Sequence, residues 1–280
     1  MPDLTPRQRF EDNMRPAHLL VRVYQLLSSN DQIASDGEMV QQLRALVQAK
    51  DDEDLLLVYT DMFLGLVRER AELPRNQLLD RSLTHLLRQA VVSSCTALET
   101  YLPDLLRANM PTVIRARGRY FLPPLDEEIK SYFKNLTFGL EEVLRLFDDP
   151  EAPQRISNKI LGYVSFNYLS SKKGIHLTGT LLGIDKPWNQ IAAHFGSERK
   201  EMMDTLEKTV NRRNDIVHRA DRSGDDLGGE PQGISYVRTR QMVDTVDHIC
   251  IALDELVTAK MEEFATVPDP IPAAEEAQPE

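Results

Sequence analysis

From Asn76 to about Asn109, the residues Leu79, Leu83, Leu87, Ala90, Ser94, Leu98, Tyr101 and Leu105 recur at intervals of three and four. That spacing places them along one helical face and predicts a long central helix. Elsewhere, too, the apolar residues recur at threes and fours rather than alternating, and only 13 glycines occur in 280 residues. Helix is therefore expected nearly throughout, and the fold class is all-α. Pro103 removes one backbone donor from the central helix and is expected to kink it near its end.

Further helical patterns flank this one. Pro16 to Leu27 carries Leu19, Leu20, Val23, Leu26 and Leu27 on one side, and two more patterns run over 38–47 and from Asp54 to Arg70, the latter opened by acids that suit a helix N-terminus. Helices are also expected over Glu127–Phe147 and Ile156–Leu169, and glycines then punctuate a region of short helices and turns. Ser197 is placed to cap a helix through Met202, Leu206, Val210 and Val217 to about Asp221. A last helix, Ser235 to Phe264, has Met242, Val246, Ile249, Leu253 and Leu256 on its buried side. The domain reading is an N-terminal helical region over 1–73, a helical domain over 74–265, and a disordered, acidic, proline-rich tail over 266–280.

Charge and cysteine content narrow the function. With 33 Lys and Arg against 44 Asp and Glu, the net charge of -11 excludes a uniformly basic nucleic-acid coat, so any such contact needs a local patch. Cys95 and Cys250 both lie in apolar helical patterns, which suits core packing in a reducing compartment. No signal core and no membrane-length apolar run occurs, so a cytoplasmic protein without membrane contact is expected. Phosphate-loop and GxSxG motifs are absent, and His18, His85, His194 and His248 have no metal-ligand spacing; neither metal nor cofactor is expected.

The informative stretch is NRRNDIVHRADR, residues 211–222. At 100° per residue from Leu206, Met202, Val210 and Val217 form an apolar stripe with Arg213 in its middle, while Asn214 and His218 lie one turn apart on its flank. An arginine on a core-facing line is costly unless it is paired or meets a ligand or a second subunit. A purely structural account has Arg213 snorkelling or pairing with a buried acid, and His218 favoured by the helix dipole.

Arg213-Asn214-Asp215-Ile216-Val217-His218, with a long helix after it, resembles the signature of HEPN domains (higher-eukaryote and prokaryote nucleotide-binding). Upstream, VVSSCTALETYLPDLL is similar to the helix that packs beside that signature in ribonuclease members, so the resemblance covers about residues 75–264. It implies an all-α bundle that forms a homodimer with the two motifs facing one cleft, and in catalytic members a metal-independent endoribonuclease. His218 would then be the acid or base, Arg213 the phosphate clamp, and Asn214 a positioning residue, with Glu99 placed near the motif by the same resemblance. A surface role for Glu99 stands beside that reading. Arg212 and Arg219 would contact the RNA backbone or be solvated helix charges. Ala220 stands where members paired with a nucleotidyltransferase antitoxin often have tyrosine, which weakens regulation by modification there.

Between Leu105 and Leu125 there are four arginines, including Arg115, Arg117 and Arg119, and no acid; Tyr120 and Phe121 follow. The segment is expected to be a basic loop that binds RNA by phosphate contact and stacking, or a solvated loop whose aromatics anchor the next helix. Lys172, Lys173 and His176 form a second, less specific basic group. The expected protein is a dimeric ribonuclease, a toxin or antiphage defence effector with RNA as substrate and an antitoxin or defence-system protein as partner. The rival is a non-catalytic HEPN-like module that binds RNA or a nucleotide, or a helical adaptor.

Overall fold

The computed structural model describes residues 4–28, 41, 80–118, 121, 133, 136–146, 149–163, 169–222 and 231–266. Among them are eight helices and no strand: α1 Pro6–Ser28, α2 Asp80–Arg117, α3 Leu140–Leu146, α4 Ala152–Tyr163, α5 Lys172–Leu181, α6 Pro187–His194, α7 Arg199–Arg219 and α8 Tyr236–Ala265. The chain is all-α, as its periodicity predicts. The helices expected over 38–47 and 54–70, most of that over 127–147, and the tail lie outside the described residues. Among the described residues no helix is long and apolar enough to cross a membrane.

Contacts divide the chain into two compact units: Met1–Met14, Ser94–Asn211 and Asp244–Glu280 form the first, and Arg15–Ser93 and Arg212–Val243 the second. In the first, α2 supplies Leu98, Tyr101, Leu102, Leu105, Leu106 and Met110 to the core, and α8 supplies Val246, Ile249, Leu253 and Val257. The Phe10 ring of α1 lies 5.1 Å from that of Tyr101. Tyr101 donates its hydroxyl to the Cys250 carbonyl and to Asp254 Oδ1, each at 3.1 Å, and burial pushes its phenol well above the ordinary value. α5 and α6 meet at Gly179, where a Cβ would come within 2.5 Å of Pro187 Cγ. Both cysteines are buried and free.

α2 outruns its expected end at Asn109 by passing through Pro103 and Pro111 to Arg117. An interior proline costs about 3 kcal/mol. Tyr101, Leu102, Leu105 and Leu106, fully buried around Pro103, each contribute about 1.5–3 kcal/mol, so packing outweighs the lost bond. α1 likewise begins ten residues before the expected Pro16. Thr5 and Gln8 form a reciprocal capping box, with Gln8 N–H donating to Thr5 Oγ1 at 3.2 Å and Thr5 N–H to Gln8 Oε1 at 3.0 Å. The buried line of α1 is Phe10, Met14, Ala17 and Val21, whereas Leu19, expected inside, is 61% exposed.

In the second unit, Ala17 and Val21 of α1, Leu83, Leu87, Ala90 and Val91 of α2, and Val243 of α8 are buried. Tyr24 and Tyr236 stack nearly parallel with their ring centres 6.3 Å apart, and Tyr236 donates its hydroxyl to Gln25 Oε1 at 2.7 Å.

Candidate active site

α7 carries the motif, and its buried face differs from the expected one. Met202, Thr205, Leu206 and Thr209 are inside, whereas Val217 is 49% exposed. The buried line is thus turned by about 60° from the aliphatic stripe, at 100° per residue. Two threonines cause the difference. The Thr209 hydroxyl donates to the Thr205 carbonyl at 2.7 Å, which satisfies it inside the helix and leaves its methyl free to pack.

Arg212, on the side toward which the face is turned, has its side chain 13% exposed. Its Nη2 donates to Asp221 Oδ2 at 2.9 Å and to the carbonyls of Gln232 and Gly233, each at 3.1 Å; its Nη1 donates to Gln232 Oε1 at 2.8 Å. Burial lowers the Arg212 pKa from its ordinary value, a shift opposed by Asp221 and reinforced by Arg88. Arg212 is therefore neither the solvated charge nor the RNA-backbone contact expected of it. The pairing with a buried acid considered for Arg213 belongs to its neighbour.

Asp221 is the centre of this cluster and is 1% exposed. Arg88 of α2 donates its Nε to Asp221 Oδ2 at 2.5 Å, its Nη2 to the Gln232 carbonyl at 3.0 Å and its Nη1 to Thr84 Oγ1 at 2.6 Å. Two guanidinium groups thus share one carboxylate, with backbone carbonyls, Thr84 Oγ1 and Gln232 Oε1 accepting from the other nitrogens. The turn that brings Asp221 inward uses two left-handed residues, Ala220 at φ 50° and Asp221 at φ 65°. Aspartate tolerates that conformation better than most side chains. Asp221 N–H donates to the Asp215 carbonyl at 2.9 Å, and Gln232 N–H donates to the Asp221 carbonyl at 2.7 Å.

Beside this fixed turn stand the motif residues. Arg213 is half-buried and donates its Nη1 to Asn214 Oδ1 at 3.1 Å; Asn214 is also half-buried. His218, one turn onward, is exposed, and among the described residues its side chain makes no hydrogen bond or ion pair. Arg219 is 53% exposed and lies 3.7 Å from Asp215.

The other expected residues lie in the first unit or outside the described residues. Glu99 is half-buried on α2 in the first unit. Arg115 and Arg117, expected in a loop, occupy the last turn of α2. Arg115 is exposed; Arg117 is half-buried, with its guanidinium 5.5 Å from the centre of the Phe264 ring, and burial lowers its pKa. Gly118, at φ 49°, ends the helix, and the buried Phe121 donates its N–H to the Gly118 carbonyl at 3.1 Å. Arg119 and Tyr120 lie outside the described residues. Lys172 pairs with Glu207 at 2.7 Å and Asp204 at 3.3 Å, so acids already balance its charge. Among the described residues no three His, Cys, Asp or Glu side chains gather as a metal site.

Arg88 and Asp221 escaped the sequence reading. At 100° per residue Arg88 falls off the expected apolar face of α2, so no local pattern singles it out.

Searches of curated proteins and of solved structures found no match. A family model described as RiboL-PSP-HEPN does match, over residues 68–259, a span that takes in α2, the Arg213-to-His218 motif and most of α8. By that match over more than half its length, the chain belongs to the RiboL-PSP-HEPN family.

Proposed function

We propose that the protein is a metal-independent endoribonuclease that works as a homodimer, with the motif-bearing ends of two α7 helices forming one composite site. The observation that carries this reading is the contrast within six residues of α7. Arg212 is locked to a buried carboxylate, while His218 is exposed and unengaged among the described residues. A fixed helix end presenting an imidazole with no bond among the described residues suits proton transfer to and from a substrate.

In the proposed reaction, His218 of one copy removes the proton from a ribose 2'-hydroxyl, whose oxygen attacks the adjacent phosphorus. The P–O5' bond breaks, and the leaving oxygen takes a proton from His218 of the other copy. Arg213 holds the phosphate oxygens as charge builds, and its bond to Asn214 sets the angle of the guanidinium. Arg219 serves as an outer phosphate contact. A toxin or antiphage defence role, with an antitoxin or defence-system partner, follows from the family resemblance.

The test is incubation of the purified protein with end-labelled structured RNA in EDTA, wild type beside His218→Ala. Cleavage by wild type alone, giving 2',3'-cyclic phosphate ends and blocked by a 2'-deoxy substitution at the cut, is expected. Equal activity of His218→Ala, or metal-dependent cleavage yielding 5'-phosphate ends, would overturn the reading. Binding without cleavage would leave the protein as a non-catalytic RNA-binding module.

A further inference from the structure

In the first unit, a cavity of about 400 Å³ opens between the start of α5 and one side of α7. Ser170 and Lys172 line it from the α5 side, and Leu206, Glu207, Val210 and Asn211 line it from α7. Small-molecule sites fall between about 300 and 1,000 Å³, so the space is large enough to hold a ligand. The four α7 residues follow at steps of one, three and one, which keeps them on one side of the helix over more than a turn.

The lining is apolar at Leu206 and Val210 and polar around them. Lys172 holds Glu207 Oε2 at 2.7 Å and Asp204 Oδ1 at 3.3 Å. Among the described residues Glu207 Oε1 accepts no hydrogen bond, and the Asn211 amide makes none. Ser170 is 3% exposed, and its hydroxyl likewise has no hydrogen bond among the described residues. Lys172 and Lys173 at the cavity stand against Glu207 and Asp204, so these charges balance and do not select a phosphate. A flat, uncharged ligand with hydrogen-bonding edges suits the lining instead, its ring against Leu206 and Val210 and its edge toward the polar groups.

We propose that this cavity receives a guanine base of the RNA strand. Guanine carries two neighbouring donors on one edge, N1–H and the N2 amine, with the O6 acceptor beside them. A carboxylate accepts both donors at once, and Glu207 supplies one whose orientation Lys172 sets. Asn211 and Ser170 supply donors for O6. Adenine and cytosine place an acceptor nitrogen next to their amine, which a carboxylate repels, and uracil has a single N–H between two carbonyls. α7 runs on unbroken from Asn211 to Asn214 of the motif, about 4.5 Å of helix rise. This assignment rests on RNA being the substrate, and it adds the choice of a base to proton transfer and phosphate contact.

The experiment uses full-length His218→Ala protein, so that RNA stays intact, and fluorescent oligouridines carrying one guanosine, inosine or adenosine. Inosine lacks only the N2 amine of guanosine. The guanosine RNA should bind about tenfold more tightly than the inosine RNA, and the adenosine RNA should bind no better than the latter. Glu207→Gln, added to this background, should erase the difference between guanosine and inosine. Val210→Phe, which fills the cavity from its apolar side and leaves the carboxylate in place, should erase it too, both variants keeping the parent's circular dichroism. A merely structural role for these residues would weaken all three RNAs alike and preserve the preference. Equal affinity for the three RNAs in the parent protein, or a preference that persists in either variant, would overturn the guanine pocket and leave the ribonuclease reading standing. An absence of RNA binding in every protein would overturn both.

Discussion

Asp221 Oδ2 lies 2.9 Å from Arg212 Nη2, so the turn that ends α7 is fastened back onto the helix nine residues earlier. The same oxygen takes Arg88 Nε. Removing one member of a buried ion cluster costs about 3–5 kcal/mol, because the remaining charges are left uncompensated. Asp221→Ala should therefore lose stability of that order in urea denaturation. Loss under about 1 kcal/mol would show that water reaches both guanidinium groups.

His218→Ala should behave differently. An exposed side chain with no bond among the described residues contributes little to folding, so its stability should stay within about 0.5 kcal/mol of wild type while cleavage disappears. Asp221→Ala and His218→Ala thus separate the support of the site from its chemistry.

If the site needs the histidine of each copy, an inactive subunit should silence an active one. Mixing wild type with an excess of His218→Ala, then refolding to exchange subunits, should lower cleavage below that of the same amount of wild type refolded alone. Activity undiminished by the added variant would place both proton transfers in one self-sufficient copy.

Arg115 and Arg117 should part company on mutation. Arg115→Ala should lower the salt slope for single-stranded RNA by roughly 0.7 with no change in stability. Arg117→Ala should instead cost about 0.5–1 kcal/mol from its place over Phe264. Equal effects of the two on RNA binding would return both to one basic surface.

Burial raises the Asp254 carboxyl above its ordinary value, with the bond from Tyr101 acting against the shift. A folded-state value above the unfolded one means that the folded protein holds this proton more tightly. Its penalty is absent below the unfolded value of roughly 3.9 and is reached in full above the folded value. Asp254→Asn, which keeps the acceptor for Tyr101, should be more stable than wild type at pH 7, and the difference should vanish near pH 3.5. A constant difference at both pH values would remove this carboxyl as its source.

The architecture was legible where apolar residues alone decide it. Leu83, Leu87 and Leu98 give α2 from spacing, and Met202 and Leu206 give α7. What spacing could not weigh was polarity that is satisfied locally. Thr205 and Thr209 read as polar yet pack inside, which turns the buried face of α7 away from the expected one. Pro16, taken as the start of the first helix, stands inside α1, because a proline marks an end only where packing does not outweigh the missing bond. The Thr5–Gln8 box, by contrast, was readable and passed over. Arg88 and Asp221 stand 133 residues apart, and no local pattern announces such a pair.

That separation has a consequence for the order of events during synthesis. Arg213 and His218 leave the ribosome before Gln232 and Gly233, whose carbonyls complete the grip on Arg212 and, for Gln232, on Arg88. A nascent chain therefore holds both motif residues while the end of α7 is still unclamped, and the assembly waits on the slow closure of a long-range contact. The position of the clamp in the chain thus sets the order: both motif residues emerge first, and the fixed end of α7 comes after them.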